Sequence, residues 1–306
     1  MSKISVVVPV YNSEDTLIEL HKRIRDVFHS LNSGFELILV DDSSTDKSWE
    51  IISQLKSDFP TEINGVKLSK NAGQHNALLC GFHFCKGEYV ITMDDDLQHP
   101  PEEISKLIQQ QRQTDAEVVY GIYKESKHSK VRNFASAFAK KTSVYFSENK
   151  TGKGSPFRLL SAGIAEKIRL SGHQFVYMDE IIHWFTSEVS FVEVDHHPRK
   201  SGRSSYGPFK LFSLYIQLMI NYTAFPLKLM TYGGLILSVI SFSFGVFLLI
   251  KKIYFNVPVP GYTSLIVTIL FSSSLMFICF GIIGQYLYRI YQKQNGKPPY
   301  SIRKII

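Results

Sequence analysis

No aspartate or glutamate occurs after Asp195, although the 306-residue chain contains 27 of them. Of the 34 Lys and Arg, 22 lie up to Asp195, so this part carries a net −5 and the acid-free remainder +12. A nucleic-acid binder with an evenly basic surface is therefore excluded. Cysteine is scarce as well. Cys80, Cys85 and Cys279 form no disulfide framework, as expected in a reduced compartment, and Cys80 and Cys85 lack the second pair that a zinc site needs. No internal repeat or low-complexity tract is present. Core-forming residues are not lacking: 44% of the chain is apolar and 13% aromatic, which excludes disorder.

Charge is also missing from two long stretches. Leu229–Ile250 has none, and after Lys251 and Lys252 the next charge is Arg289. A helix crosses a bilayer with roughly 20 apolar residues, so each stretch is long enough. Pro258, Pro260 and Gly261 break the start of the second. The expectation is two transmembrane helices near 229–250 and 263–288, with a pair of buried core helices as the alternative. Arg289, Lys293, Lys297, Arg303 and Lys304 follow the second span, against two lysines in the turn, which predicts both termini on the cytoplasmic side. Tyr286, Tyr288 and Tyr291 suit an interfacial belt there. No secretory signal is expected, because the apolar run Ile4–Val10 is short and lacks a cleavage site. Residues 207–226 mix Phe209, Leu211, Phe212 and Tyr215 with Lys210 and Gln217. They read as an amphipathic juxtamembrane segment, or else as a linker or a helix packed on the preceding domain.

Residues 1–206 read as one cytoplasmic α/β domain. Ile4–Pro9 is a buried strand, and Glu14–Leu31 has helical spacing with Ser13 as its cap. Glu36–Val40 is a second strand, Lys47–Phe59 a helix, Val66–Leu68 and Glu88–Met93 further strands, and Gly73–Phe84 a helix. Strands alternating with helices imply a mostly parallel sheet covered on both faces, and such sheets bind ligands at the carboxyl ends of their strands. Tyr11–Asn12, Asp41–Asp42 and Asp94–Asp96 would then surround one crevice.

Asp94-Asp95-Asp96 directly follows an apolar strand. Three adjacent carboxylates need solvent or a cation to offset their repulsion. At a strand end beside other polar strand ends, a hard divalent ion is the favoured reading over a solvated loop. Asp94 and Asp96 would point one way and Asp95 another if the strand continues. Asp41-Asp42-Ser43-Ser44-Thr45-Asp46 ends the second strand, where a helix cap and a ligand contact are compatible. Asp179-Glu180 is either a carboxylate source for catalysis or the acidic first turn of a helix. Arg199 to Tyr206 is a basic juxtamembrane patch, suited to anionic lipid or to a lipid phosphate. His75, His99, His196 and His197 read as structural histidines.

Pro9-Val10-Tyr11-Asn12, Val40 to Asp46, Asn71-Ala72-Gly73-Gln74-His75 and Asp94-Asp95-Asp96-Leu97-Gln98 occur in the order seen in family-2 glycosyltransferases. The Asp-x-Asp-Leu-Gln-x-Pro-Pro form and the paired C-terminal spans make the chain similar to the polyprenyl-phosphate glycosyltransferase branch. The resemblance covers essentially the whole chain. It implies a nucleotide-sugar-binding domain of the GT-A type followed by two transmembrane helices in a bacterial inner membrane. The partners it implies are a nucleotide-sugar donor (a UDP-sugar favoured over a GDP-sugar) and a polyprenyl phosphate, with homo-oligomerisation allowed.

Residue by residue, the resemblance implies that Pro9, Tyr11, Asp41 and Asp42 hold the nucleoside, joined by Asp94 at the diphosphate. Asp94, Asp96 and Gln98 would bind Mg²⁺ or Mn²⁺, with Asp96 counted as catalytic. Arg199, Arg203 and Ser204, in a segment similar to the family's Arg-x-x-Gly-x-Ser-Lys-Tyr, would grip the acceptor phosphate with Arg132. Two departures stand out. The family's Arg two residues after the glycine that ends one strand is Tyr123 here, and the Asp that precedes a Phe-Arg pair is missing before Phe157-Arg158. Asp179 or Glu180 would supply that carboxylate. The function implied is inverting sugar transfer for cell-envelope glycan synthesis or modification. The alternatives are another acceptor on the same fold, or a non-catalytic nucleotide-binding scaffold. The Gln-x-x-Arg-Trp segment of processive members is absent.

Overall fold

The computed structural model describes residues 3–123, 154–171, 178–195, 261–294 and 298–306, with scattered helical positions between 230 and 254. The chain divides into two compact units. One comprises Met1–Ser205 with Pro298–Ile306, and the other Tyr206–Lys297.

In the first unit, β1 (Ile4–Val10) is buried along its whole length, as a strand covered on both faces must be. Helix α1 (Leu17–Ser30) turns Leu17, Leu20, Ile24, Val27 and Phe28 inward at helical spacing. The alternation continues through β2 (Phe35–Asp41), α2 (Ser48–Asp58), β3 (Ile63–Leu68), α3 (Gln74–Gly81) and β4 (Tyr89–Thr92). β1 lies between β2 and β4, β2 pairs with β3, and all three pairings are parallel. Pro9 costs the ladder little. The β1–β4 register ends at Val7↔Thr92, so its missing N–H falls where β4 has already left the sheet.

Past β4 the sheet becomes mixed. α4 (Ile104–Thr114) leads into β5 (Val118–Tyr123), followed by β6 (Arg158–Ser161), α5 (Ala162–Leu170), α6 (Met178–Phe185) and β7 (Val189–Val194). β6 runs antiparallel to β4 and β5, while β7 is parallel to β5. β8 (Ile302–Ile305) closes the far edge against β3, antiparallel, giving the order β7-β5-β6-β4-β1-β2-β3-β8.

Two sequence expectations change here. Thr16, not Ser13, occupies the cap position of α1, and Ser13 turns its hydroxyl to Asp95 instead. The end of the basic tail is a strand of the first unit. Gly65 and Ile306 exchange backbone hydrogen bonds of 3.1 and 2.9 Å, and Ser69 N donates to Ser301 O at 2.7 Å. Tyr300 Oη and His83 Nδ1 lie 3.0 Å apart, and Ile306 packs against the core. Four residues in a tail give too short a pattern to read as a strand. Arg303 and Lys304 are the charges that commonly protect a sheet edge.

In the second unit, α7 (Tyr262–Gln294) is one helix of 33 residues, about 50 Å long at 1.5 Å per residue. Its sequence carries no charge before Arg289. Among the described residues, no helix is long and apolar enough to cross a membrane. Most of the first expected span and the whole of 207–226 lie outside the described residues.

Candidate active site

The carboxyl ends of β1, β2 and β4 meet at one cleft of about 260 Å³. Its walls come from Pro9 and Val10 at the end of β1 and Tyr11 after it, Asp42 after β2, Asn71, Gly73 and Gln74 before and at the start of α3, and Asp94, Asp95 and Asp96 after β4. The loops are tied to each other. Asn12 Oδ1 accepts from Thr45 N at 2.8 Å, Asn12 N donates to Ser44 Oγ at 3.0 Å, and Ser13 N donates to Ser48 Oγ at 2.9 Å. Tyr11 stands at the rim with half its surface exposed, a flat ring open to stacking.

Asp42 is buried at the base of this wall. Its two carboxylate oxygens accept from Ala72 N at 2.6 Å and Gly73 N at 2.8 Å, so β2 holds the segment that opens α3. Burial raises its pKa against those two hydrogen bonds. Gly73 has φ +87°, a backbone that favours glycine, and this lets its N–H face the carboxylate. Asp41 takes no part in the cleft. It is fully buried, accepts from Ser44 N at 3.0 Å, and lies 3.5 Å from Lys67 Nζ.

The three acids after β4 diverge. Asp95 accepts from Tyr11 N at 3.1 Å and from the Ser13 hydroxyl, which fastens the β1 loop to the β4 turn. Burial pushes its carboxyl up to about 6, although both hydrogen bonds oppose the shift. Asp94 Oδ1 accepts from Gln74 Nε2 at 2.5 Å. Asp96 accepts from Gln98 N at 3.1 Å and Gln98 Nε2 at 2.6 Å. Leu97, between them, has φ +59°, a left-handed backbone that costs a non-glycine residue on the order of 1–2 kcal/mol. Such strain clusters at functional turns.

Two carboxylates approached by the neutral amides of Gln74 and Gln98 are a suitable donor set for a hard divalent ion. Mg²⁺ and Mn²⁺ commonly take one or two carboxylates and complete their shell with phosphate oxygens and water. Among the described residues, no group of three or more His, Cys, Asp or Glu is arranged to hold a metal ion. An ion held by these two carboxylates would complete its shell with phosphate oxygens or water. In this geometry Gln98 orients Asp96 through its amide nitrogen.

Behind the cleft lies a buried polar cluster. Arg158 is 1% exposed, pairs with Asp179 at 2.5 Å, and donates through Nε to Thr92 Oγ1 at 3.2 Å. The Tyr120 ring centroid lies 5.6 Å from the guanidinium carbon. Burial lowers the pKa of His75 to about 4, and the charge of Arg158 pushes the same way, so this imidazole is neutral at ordinary pH. Glu180 is nearly buried in the first turn of α6. Tyr123, at the end of β5, stacks on His99 and bonds its ring nitrogen, and burial together with Asp94 and Asp96 raises its pKa.

Of the site residues expected from the sequence, the structure brings together Pro9, Tyr11, Asp42, Asp94 and Asp96 at the cleft. It places Asp41 in the core and commits Asp179 to Arg158. Arg132, Arg199, Arg203 and Ser204 lie outside the described residues. The roles of Asp95 and Gln74 escaped sequence reasoning. Asp95 reads as the middle of an acidic run, and the partners that give it a role come from a loop 82 residues away.

Residues 5–169 match the family described as glycosyl transferase family 2. The chain belongs to that family. Over its length it is similar to an undecaprenyl-phosphate 4-deoxy-4-formamido-L-arabinose transferase of Pseudomonas savastanoi pv. phaseolicola, with 32% identity covering 99% of this chain and 90% of the relative. It is similar to the same degree to a SfII prophage-derived bactoprenol glucosyl transferase of Shigella flexneri, at 32% identity over 99% of this chain and 98% of the relative. Among solved structures, mannosyl-3-phosphoglycerate synthase from Rubrobacter xylanophilus shares the α/β fold, with a TM-score of 0.52 at 13% identity over 76% of this chain and 75% of that one. The family-2 chain thus places its strand-end motifs around one cleft of a mixed α/β sheet.

Proposed function

We propose that this family-2 glycosyltransferase moves a sugar, with inversion, from a nucleotide-sugar donor to a polyprenyl phosphate at the cytoplasmic face of a bacterial inner membrane. The observation that carries the reading is the convergence of Tyr11, Asp42, Asp94 and Asp96 on one cleft. The acceptor is inferred from the two relatives described above, whose names specify undecaprenyl phosphate and bactoprenol. A UDP-sugar is the favoured donor, and the product would serve cell-envelope glycan synthesis or modification.

The half-exposed ring of Tyr11 stacks on the base, while Pro9 and the Asp42 wall shape the nucleoside side. Asp94 and Asp96 would hold Mg²⁺ or Mn²⁺, with Gln74 and Gln98 orienting the two carboxylates. When bound, the ion offsets the negative charge that builds on the departing nucleoside diphosphate. A bond forms between an acceptor phosphate oxygen and the anomeric carbon as the bond to the donor's β-phosphate oxygen breaks. A phosphate monoester is largely dianionic near pH 7, with a second pKa of about 6, so the nucleophile needs little help from a base. Arg132, Arg199, Arg203 and Ser204 are proposed to bind that phosphate by charge-assisted hydrogen bonds.

Membrane attachment rests on the two charge-free stretches. Along α7, Leu265, Ile269, Phe271, Met276, Phe280 and Leu287 are all exposed, which suits a lipid environment. The return of β8 to the first unit adds a topological argument. A chain that leaves a cytoplasmic sheet and rejoins it must cross the bilayer an even number of times, and two spans satisfy this.

The test incubates purified full-length protein with a panel of radiolabelled nucleotide sugars, Mg²⁺ or Mn²⁺, and undecaprenyl phosphate. Label should enter the lipid fraction for at least one donor, and Asp96→Asn should abolish this. Nucleotide binding without turnover of any donor would support a non-catalytic scaffold instead.

A further inference from the structure

Directly behind the acidic turn, the sheet carries a buried positive charge together with its counter-charge. Thr92 and Arg158 face each other across the β4–β6 register, and Arg158 Nε bonds Thr92 Oγ1 at 3.2 Å. Met93 N makes the last bond of this edge, to Val7 O at 3.3 Å, and Asp94 follows directly, two residues after Thr92. The first turn of α3 links the two levels. Gln74 bonds Asp94, and the next residue, His75, lies within the electrostatic reach of Arg158 and Asp179. The charge of Asp94 is also felt at Arg158. Among the described residues, the Tyr120 phenol, whose pKa is raised by burial, and His75 are neutral neighbours of the guanidinium.

Arg158 is therefore paired with one carboxylate, Asp179, and lies in the field of a second, Asp94. The pairing has been given room. A β-carbon on Gly154 would lie 2.7 Å from the Asp179 carboxyl group, so a side chain there would push the acid from this position. With Asp179 in place, the pair is neutral overall and Asp94 is left to the cleft. Without it, an unscreened guanidinium would repel a divalent ion and claim Asp94 as its own counterion. Charge interactions in such partly desolvated surroundings amount to kilocalories rather than tenths.

We propose that Asp179 acts through Arg158 to set how tightly Asp94 and Asp96 hold a divalent cation, as a positioning residue and not as a general base. This rests on the reading of Asp94 and Asp96 as the metal site.

The experiment measures Mn²⁺ binding to the full-length protein by electron paramagnetic resonance, with no nucleotide sugar present, alongside the pH profile of turnover. Asp179→Asn should weaken Mn²⁺ binding on the order of tenfold or more and leave both limbs of the profile where they are. Asp179→Glu should restore most of the affinity. Because Asp179→Asn can lose folded protein, the double variant Asp179→Asn with Arg158→Met provides a second route. It removes both charges and should bind Mn²⁺ close to the wild-type level, since replacing both partners of a buried pair is tolerated better than removing one. Wild-type affinity in folded Asp179→Asn would overturn the inference, as would weak binding by the folded double variant. An acidic limb lost in Asp179→Asn would return that residue to the role of base. A wild-type protein that binds no Mn²⁺ would instead remove the metal reading itself.

Discussion

The ends of β2 and β4 are both acidic, yet they use their carboxylates differently. At β2, Asp41 and Asp42 are held by backbone N–H groups: Ser44 for the first, Ala72 and Gly73 for the second. At β4, Asp95 is tied to the backbone N–H of Tyr11, while Asp94 and Asp96 are approached by the side-chain amides of Gln74 and Gln98, and Asp96 also accepts from the Gln98 backbone N–H within its own turn. Backbone donors fix a wall. Neutral amides orient a carboxylate and leave its charge available. The β2 end thus shapes the cleft, and the β4 end is the one proposed to bind a cation with a phosphate. The most disruptive test of this contrast is Asp96→Asn, which should reduce sugar transfer by about a thousandfold or more, as loss of a charge-stabilising group typically does. Its melting temperature should change little, because the bonds of Asp96 to Gln98 lie within one short turn.

Asp42→Asn should show the opposite balance. An amide presents one acceptor oxygen where the carboxylate presents two, so Ala72 N or Gly73 N loses its partner. A buried donor left unpaired costs roughly 1–3 kcal/mol, and thermal unfolding should register it. Turnover should fall through a higher donor KM, by tens of times at most, with kcat less affected. If Asp42→Asn instead lowers kcat alone and leaves stability intact, β2 is part of the chemistry and the contrast fails.

Asp95 belongs with the β2 acids by its bonds, and its pH behaviour sharpens the comparison. Its folded pKa of about 6 lies above the ordinary value near 3.8, so the native state holds its proton more tightly than the unfolded chain. This group's contribution to stability is therefore greatest below pH 4 and declines between about pH 4 and 6, with little further change above. Two pH units correspond to at most about 3 kcal/mol. Denaturant unfolding at pH 4.5 and pH 6.5 should reveal this decline as a difference between wild type and Asp95→Asn, whose stability lacks the term. Equal pH dependence in both proteins would mean that Asp95 is not buried as described.

The first half of the sheet was legible because each strand is short, β-branched and followed at helical spacing by an apolar stripe, as in Ile4–Val10 and Leu17–Phe28. Sequence order also brought Tyr11, Asp42, Asp94 and Asp96 to one crevice, since parallel strands place all their carboxyl ends together. What it could not give was partnership. Nothing local to Asp179 points to Arg158, 21 residues earlier, and nothing local to Asp41 distinguishes it from Asp42 except the side of the strand it leaves. Ile302–Ile305 escaped because a four-residue edge strand takes its identity from β3 and carries no pattern of its own. The lopsided charge also gains a structural qualification. Arg303 and Lys304, counted with the membrane-facing part by composition, lie on the edge strand of the acidic domain.

Gln98 provides the finest test of the two strand ends. The sequence reading makes it a metal ligand with Asp94 and Asp96, whereas the structure has its amide nitrogen on Asp96 at 2.6 Å. A ligand and an orienting group predict different results for Gln98→Ala. An orienting hydrogen bond contributes about 0.5–1.5 kcal/mol net, so its loss should weaken apparent Mn²⁺ affinity tenfold or less. Saturating Mn²⁺ should then restore kcat, because Asp96 is still present and needs only to be drawn into place. Gln98→Glu offers the complementary arm. A carboxylate beside Asp96 removes the donor and adds repulsion, which should weaken metal binding if Gln98 only orients, but strengthen it if that side chain reaches the ion. Tighter Mn²⁺ binding in Gln98→Glu would therefore make position 98 a ligand, and the β4 end would then offer three protein oxygens to the metal rather than two.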